Sequence, residues 1–308
     1  MKENTAEETQ KRDVYQIVTD KILETMERGE VPWHKPWKSM SSLPVNLKTK
    51  RRYSGLNVWM LVAEAFAKGY TSPYWLTFNQ VKSLGGHVRK GEKSTLVVFW
   101  KWIEYEEEVE NQDTGEIETK PRKRPFLRYY SVFNTDQCEG LDEKLPKIEK
   151  NEEISAIDSC EKIAKEMPKC PVIVPNGGRA YYNPREDKIG MPKAELFESS
   201  EEYYSTLFHE MGHSTGHESR VGRKSITEGF DFWGDHKYSQ EELVAEFAAA
   251  YLCAFGGIEN KTIDNSAAYI QHWKKAFKED KRLVVIAASQ GQKAADYILG
   301  RRVEKEGE

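Results

Sequence analysis

The six residues Phe208-His209-Glu210-Met211-Gly212-His213 constrain this chain more than any other feature. Two histidines four positions apart lie on one face of a helix, so both imidazoles can hold one ion. Glu210, beside the first, can reach water on that ion, which is what a zinc (Zn2+) site with a carboxylate base requires. The preceding Tyr203 to Phe208 supplies the apolar side of a helix predicted from about Ser200 to Thr215, and Gly212 leaves room for close packing near the ion. A bare pattern of this kind arises by chance, but here it sits in a helical context, in a chain with only seven histidines and with further candidate ligands downstream.

A catalytic zinc takes three protein ligands and keeps one position open. His217, Glu218, Asp231, Asp235, His236, Glu241, Glu242 and Glu246 are the candidates. Gly216 is expected to end the helix before His217, and Ser219 stands where the pattern HExxHxxGxxH has its last histidine. The helix predicted over Gln240 to Phe255 is better placed: Glu242 and Glu246 lie one turn apart in an otherwise Leu/Val/Phe/Ala run, and acids bordering such a run need partners. This pair resembles the gluzincin peptidases, in which a glutamate ligand is followed four residues later by an acid that orients a ligand histidine. The resemblance implies Glu242 as third ligand and Glu246 as the supporting carboxylate, with the reverse assignment open. Tyr238 precedes the helix and can stabilise an oxyanion, or simply pack.

The first half reads differently. Between Val31 and Ile103 the only acids are Glu64 and Glu92, against twelve lysines and arginines, although the net charge of the whole chain is -4. Six of the eight tryptophans, Trp33, Trp37, Trp59, Trp75, Trp100 and Trp102, fall in this basic span. Cations that track phosphates, interleaved with rings that stack on unpaired bases, suit single-stranded nucleic acid. Lys48, Lys50, Arg51, Arg52 and Tyr53, Trp75, and the turn carrying Arg89, Lys90 and Lys93 are the candidate contacts. Trp59, Phe66 and Phe99 are expected in the core.

With 308 residues there is room for two ordinary domains, and 38% hydrophobic with 31% charged residues indicates a soluble, globular chain. No apolar run reaches membrane-spanning length, and the polar N-terminus lacks a secretory h-region, so a cytoplasmic protein is expected. Cys138, Cys160, Cys170 and Cys253 form no CxxC pair, which argues against a zinc ribbon or a disulfide framework. Helices are predicted over Val14 to Arg28, Leu56 to Ala67, Phe78 to Leu84, Ile154 to Glu166, Asn265 to Lys278 and Asp280 to Leu299. Strands are predicted over Thr95 to Tyr105, Phe126 to Asn134 and Pro171 to Val174, with a hairpin over Arg179 to Pro192. The charged stretch Glu106 to Arg124 reads as a hairpin tip or mobile loop, and Leu141 to Glu153 as a linker.

Long segments of both halves resemble one family. VPWHKPW, PVNLKTKRRYSGLN, YWLTFNQVKSLGGHVRKGEKS and SVFNTDQCEGL are similar to the N-terminal domain of ArdC-type antirestriction proteins. LFHEMGHSTGH, YSQEELVAEFAAAYLC and AAYIQHWKKAFKEDKRLVVIAASQGQKAADYI are similar to their zincin-like metallopeptidase domain. The resemblance implies an α+β chain: a nucleic-acid-binding domain over residues 1–145, then over 146–308 a zincin-like domain of a small mixed sheet, the HExxH helix and C-terminal helices. It also implies a bacterial mobile-element protein that binds single-stranded DNA and protects incoming DNA from restriction. Its ligands carry over to His209, His213 and Glu242, and its peptide or protein substrate, host restriction components among the candidates, is not named by the sequence. In zincin peptidases an edge strand placed like the 179–192 hairpin binds substrate backbone. The long charged insert at 106–124 departs from the family pattern.

Overall fold

The computed structural model describes residues 13–29, 31–33, 43–110, 117–146, 156–176, 178–227, 236–258, 260 and 267–301. Helix α1 (Val14–Glu27) begins where the Asp13 carboxylate accepts from the backbone N–H groups of Tyr15 and Gln16, and it buries Val18, Ile22 and Met26 at helical spacing. Strand β1 (Val45–Asn46), α2 (Leu56–Lys68) and β2 (Tyr74–Thr77) follow, and then α3 (Phe78–Ser83), which is held by a Thr77/Gln80 capping box. After β3 (His87–Val88) come β4 (Thr95–Glu110), β5 (Ile117–Asn134) and β6 (Cys138–Glu139). The first sheet has the order β1-β2-β5-β4, with β1 parallel to β2 and the rest antiparallel, while β3 pairs with β6 apart from it.

Of the charged insert, the described residues 106–110 and 117–124 are strand, which fits the hairpin alternative and not the loop. β4 and β5 pair without interruption from Thr95↔Val132 to Glu110↔Ile117, leaving only 111–116 outside the described residues. At about 3.4 Å per residue, β4 spans roughly 50 Å. Charge complementarity favours the pairing: Glu104 is in register with Lys123 and Glu107 with Lys120, and Arg122 Nε bonds Glu107 Oε2 at 2.9 Å. β2 covers β5 only at Val132 to Asn134, and no other described strand pairs along that edge farther out, where Pro121 and Pro125 are tolerated. Phe99, expected in the core, is 44% exposed on this ribbon, whereas Trp59 is fully buried as expected. The Phe66 side chain lies outside the described residues.

In the second half, α4 (Ala156–Glu166) precedes β7 (Val172–Pro175), β8 (Tyr181–Asn183) and β9 (Lys188–Met191). These form a sheet of order β7-β9-β8, with β8 the antiparallel edge strand. Then come α5 (Ser200–Ser214), the short α6 (Lys224–Thr227), α7 (His236–Gly256), α8 (Ala267–Glu279) and α9 (Leu283–Ile298). α7 is packed between α5 and α9, and glycines set both approaches. A Cβ on Gly212 would sit 3.2 Å from Ala245 Cα, and one on Gly291 would sit 2.5 Å from Phe247 Cβ.

One apolar core runs through both halves. Trp33 packs on Phe247 with ring centroids 4.9 Å apart, and Trp59 lies 4.8 Å from Tyr251. The Tyr251 hydroxyl donates to the Gly55 carbonyl at 2.6 Å, and the Thr19 hydroxyl to the Lys281 carbonyl at 2.7 Å. The stretch expected to link two domains contains a short turn at Asp142–Lys144, and residues 147–155 lie outside the described ones.

Candidate metal centre

Helix α5 presents His209 and His213 one turn apart, and the close approach at Gly212 brings α7 near enough to add Glu242. The two Nε2 atoms are 3.1 Å apart, with His209 Nε2 3.6 Å from Glu242 Oε2 and His213 Nε2 3.6 Å from Glu242 Oε1. Ligand atoms about 2.0–2.1 Å from a tetrahedral ion are about 3.3 Å from one another, so this donor set fits one divalent ion. Among the described residues it is the group of three whose ligand atoms converge in this way. The Glu242 side chain is 29% exposed, which leaves a way in from solvent. Glu210 is buried one position after the first ligand.

The partner of His213 on its other side is Glu241, whose Oε1 lies 3.3 Å from Nδ1. That leaves Nε2 for the ion, the usual arrangement behind a ligand histidine. Glu241 is itself 1% exposed and held by Arg223, whose Nε donates to Oε2 at 2.9 Å, and by the Ser225 hydroxyl. Arg223 also donates to the Thr215 hydroxyl at 2.6 Å and to the Gly212 carbonyl at 2.9 Å, so it ties the end of α5 to α7. Burial raises the Glu241 pKa, but the Arg223 charge and hydrogen bonds, with His213, outweigh it and hold the carboxyl at about 2. Burial works against a charged His213, yet its bond to Glu241 and the charges of Glu242, Glu241 and Glu210 bring it up to about 9. The surplus carboxylate charge that favours a proton here favours a divalent cation as well.

Glu246 takes a different place from the one the gluzincin resemblance implies. Its carboxylate accepts from Trp33 Nε1 at 3.2 Å and from the Tyr269 hydroxyl, and the carboxylate bonded to a ligand histidine is Glu241. Burial pushes Glu246 up to about 7, while its two donors and the nearby His209 pull it down. His217 is turned away to Ser219, at 2.9 Å. Tyr238 lies within α7, but its side chain, like that of His236 and like Asp231 and Asp235, is outside the described residues.

Residues 12–133 match the N-terminal domain of anti-restriction factor ArdC, and residues 161–290 match a family of zincin-like metallopeptidases. The metal-free crystal structure of antirestriction ArdC protein from the R388 plasmid is 41% identical, covers 93% of this chain and 97% of its own, and superposes with a TM-score of 0.71. The chain belongs to the ArdC antirestriction family. A Mn(II)-bound structure of the R388 protein aligns at 38% identity over 95% of this chain and 99% of its own, also with a TM-score of 0.71. An uncharacterized protein of Sinorhizobium fredii is 33% identical over 93% of this chain and 91% of its own length. DNA primase TraC of Escherichia coli is 33% identical over 94% of this chain, which spans only 20% of that primase.

Two of the candidate DNA contacts of this ArdC-family chain are not on its surface. Trp75 is fully buried in β2 and Tyr53 is 8% exposed, so neither offers a ring to a base. Composition cannot tell a core ring from a surface ring, and these two fill the core. Lys48, Lys50, Arg51 and Arg52 are exposed on a tight turn in which the Asn46 side chain accepts from the backbone of Lys48 and Thr49, and Lys50 takes a φ of 61°. Arg52 lies over the Phe255 ring, 5.6 Å from its centroid. Lys90 and Lys93 are exposed, while Arg89 is engaged with Glu92 at 3.0 Å and with the Asp136 carbonyl. Glu241 stood among the sequence candidates only as a ligand, and nothing in the pattern around Arg223 marked it.

Proposed function

We propose that this ArdC-family chain is a mobile-element antirestriction protein that binds single-stranded DNA and hydrolyses a peptide bond at a divalent-metal site. The observation that carries the catalytic part is the convergence of His209, His213 and Glu242 at ion-binding separations beside Glu210. Zinc is the expected ion from the donor set, and the Mn(II)-bound relative makes manganese the alternative to test. Bound there, the ion would supply Lewis-acid polarisation of the substrate carbonyl and make water more acidic. Glu241 orients His213. Glu210 takes the proton of the attacking water and returns it to the leaving amine. β8, an antiparallel edge strand packed against α5, is the candidate to align substrate backbone by strand addition. Tyr238 remains the candidate oxyanion donor, and among the described residues no helix is long and apolar enough to cross a membrane.

The test is elemental analysis of the purified protein beside a His209→Ala/His213→Ala variant, followed by cleavage of a quenched fluorescent peptide library. About one zinc or manganese per chain, lost in the variant, together with cleavage lost in Glu210→Ala, supports the reading. A metal-bound protein whose Glu210→Ala variant retains full antirestriction activity would instead make the zincin fold a scaffold. Gel shifts with single- and double-stranded oligonucleotides over a salt series test the DNA part.

A further inference from the structure

The two faces of the β4–β5 ribbon differ in chemistry. Alternation along the ladder puts Phe99, Ile103, Tyr105, Arg122, Arg128 and Tyr130 on one face. Phe99 is 44% exposed, Tyr105 38% and Tyr130 47%. The Phe99 and Tyr130 rings meet edge to face with centroids 5.4 Å apart. Arg128, exposed, is directly opposite Phe99. Glu107, an acid on the same face, is bonded to Arg122. Lys101, Arg124 and Phe126 hold register positions of the same parity. The other face carries the exposed Glu104 and Glu106 farther out and Tyr129, 38% exposed, nearer the base, with Lys123 at a register position of the same parity.

Among the described side chains one face has three exposed rings and two exposed guanidinium groups, and the other has two exposed carboxylates and a single exposed ring, a polarity that a polyanion can read. A strand of nucleic acid is attracted to the first face and repelled by the second. Rings left in water gain little unless something flat covers them, and unpaired bases are flat. A duplex offers this surface only phosphates and groove edges, because its bases are stacked on each other.

We propose that single-stranded DNA lies along this ribbon face, with bases against Phe99 and Tyr130 and phosphates against Arg122 and Arg128. The proposal rests on the single-stranded-DNA reading above and replaces the buried Trp75 and Tyr53 as the stacking residues.

The test is fluorescence anisotropy of the full chain with labelled oligothymidylate and with a duplex of equal length, over a salt series. Phe99→Ala/Tyr130→Ala removes rings that are already exposed, so its thermal melt should match that of the parent, which circular dichroism checks. It is expected to weaken oligothymidylate binding about tenfold or more and to leave weak duplex binding unchanged. Arg122→Ala/Arg128→Ala is expected to lower the slope of log affinity against log salt by about 1–2. Parent-level binding by both variants would overturn the ribbon assignment while leaving the DNA reading intact. No binding of oligothymidylate by the parent would overturn the DNA reading itself. A change in oligomeric state in place of DNA affinity would reassign the face to self-association and overturn the proposal.

Discussion

The indole Nε1 of Trp33 lies 3.2 Å from Oε2 of Glu246, so a residue near the start of the chain is bonded to the helix that carries Glu242. Tyr269 donates to the same carboxylate. Trp33→Phe keeps most of the packing on Phe247 but removes one donor from a buried acid, and a loss of about 1–3 kcal/mol is expected. Trp33→Ala also opens a cavity and should cost about 3–5 kcal/mol. Equilibrium urea unfolding measures both, and equal stabilities for Phe and Ala would mean that ring packing contributes nothing.

Glu241 should set metal affinity without touching the ion. Glu241→Gln keeps an acceptor for His213 Nδ1 but removes its charge, and divalent-ion affinity is expected to fall about 10–100-fold. Arg223→Ala leaves Glu241 buried without its cation and should destabilise the fold by about 3–5 kcal/mol. Competition against a chelating dye reads the first effect. An unchanged affinity in Glu241→Gln would show that the carboxylate only packs.

Gly212→Ala tests whether the approach of α5 to α7 places the third ligand. The added methyl would meet Ala248 Cβ at 3.1 Å and Ala245 Cα at 3.2 Å, so the helices must part by a few tenths of an ångström. Weaker ion binding with little change in fold is expected, by isothermal titration. Tight binding in the variant would mean that Glu242 follows the shift.

Acid should loosen the junction between the 181–191 hairpin and the turn after α5. Arg220, whose side chain is 1% exposed, pairs with Asp187, and its hydrogen bond holds that carboxyl below the usual carboxylate range. A depressed folded-state pKa stabilises the protein above the unfolded value of 3.8, and the benefit is lost as pH falls through the folded one. Asp187→Asn should lower the melting temperature at neutral pH and flatten the fall in stability below about pH 5. An unaltered acid limb in the variant would assign acid sensitivity to other carboxylates.

Helices were legible wherever an apolar stripe recurred at helical spacing, as at Val18, Ile22 and Met26, and His209 with His213 stood out for the same geometric reason. β1, with two residues, is too short to show a period. The ladder of acids at 104–108 against cations at 120–124 was hidden because each strand, read alone, looks like a solvated charge run. Only pairing makes them complementary. Ring content does not reveal on which side of the core a strand continues, so Phe99, expected inside, is exposed. Glu241 and Arg223 escaped because a supporting ion pair depends on a turn, 215–223, that folds back on the helix it follows.

The core shared by Trp33 and Trp59 with Phe247 and Tyr251 bears on how such chains can be exchanged. A recombination crossover in the middle of the chain would join one parent's indole-bearing half to another parent's receiving helices. Any mismatch in those few contacts would fall at the centre of the molecule, next to Glu246. A chimera joined there should therefore be less stable than either parent unless the residues that meet Trp33 and Trp59 on α7 come from the same parent.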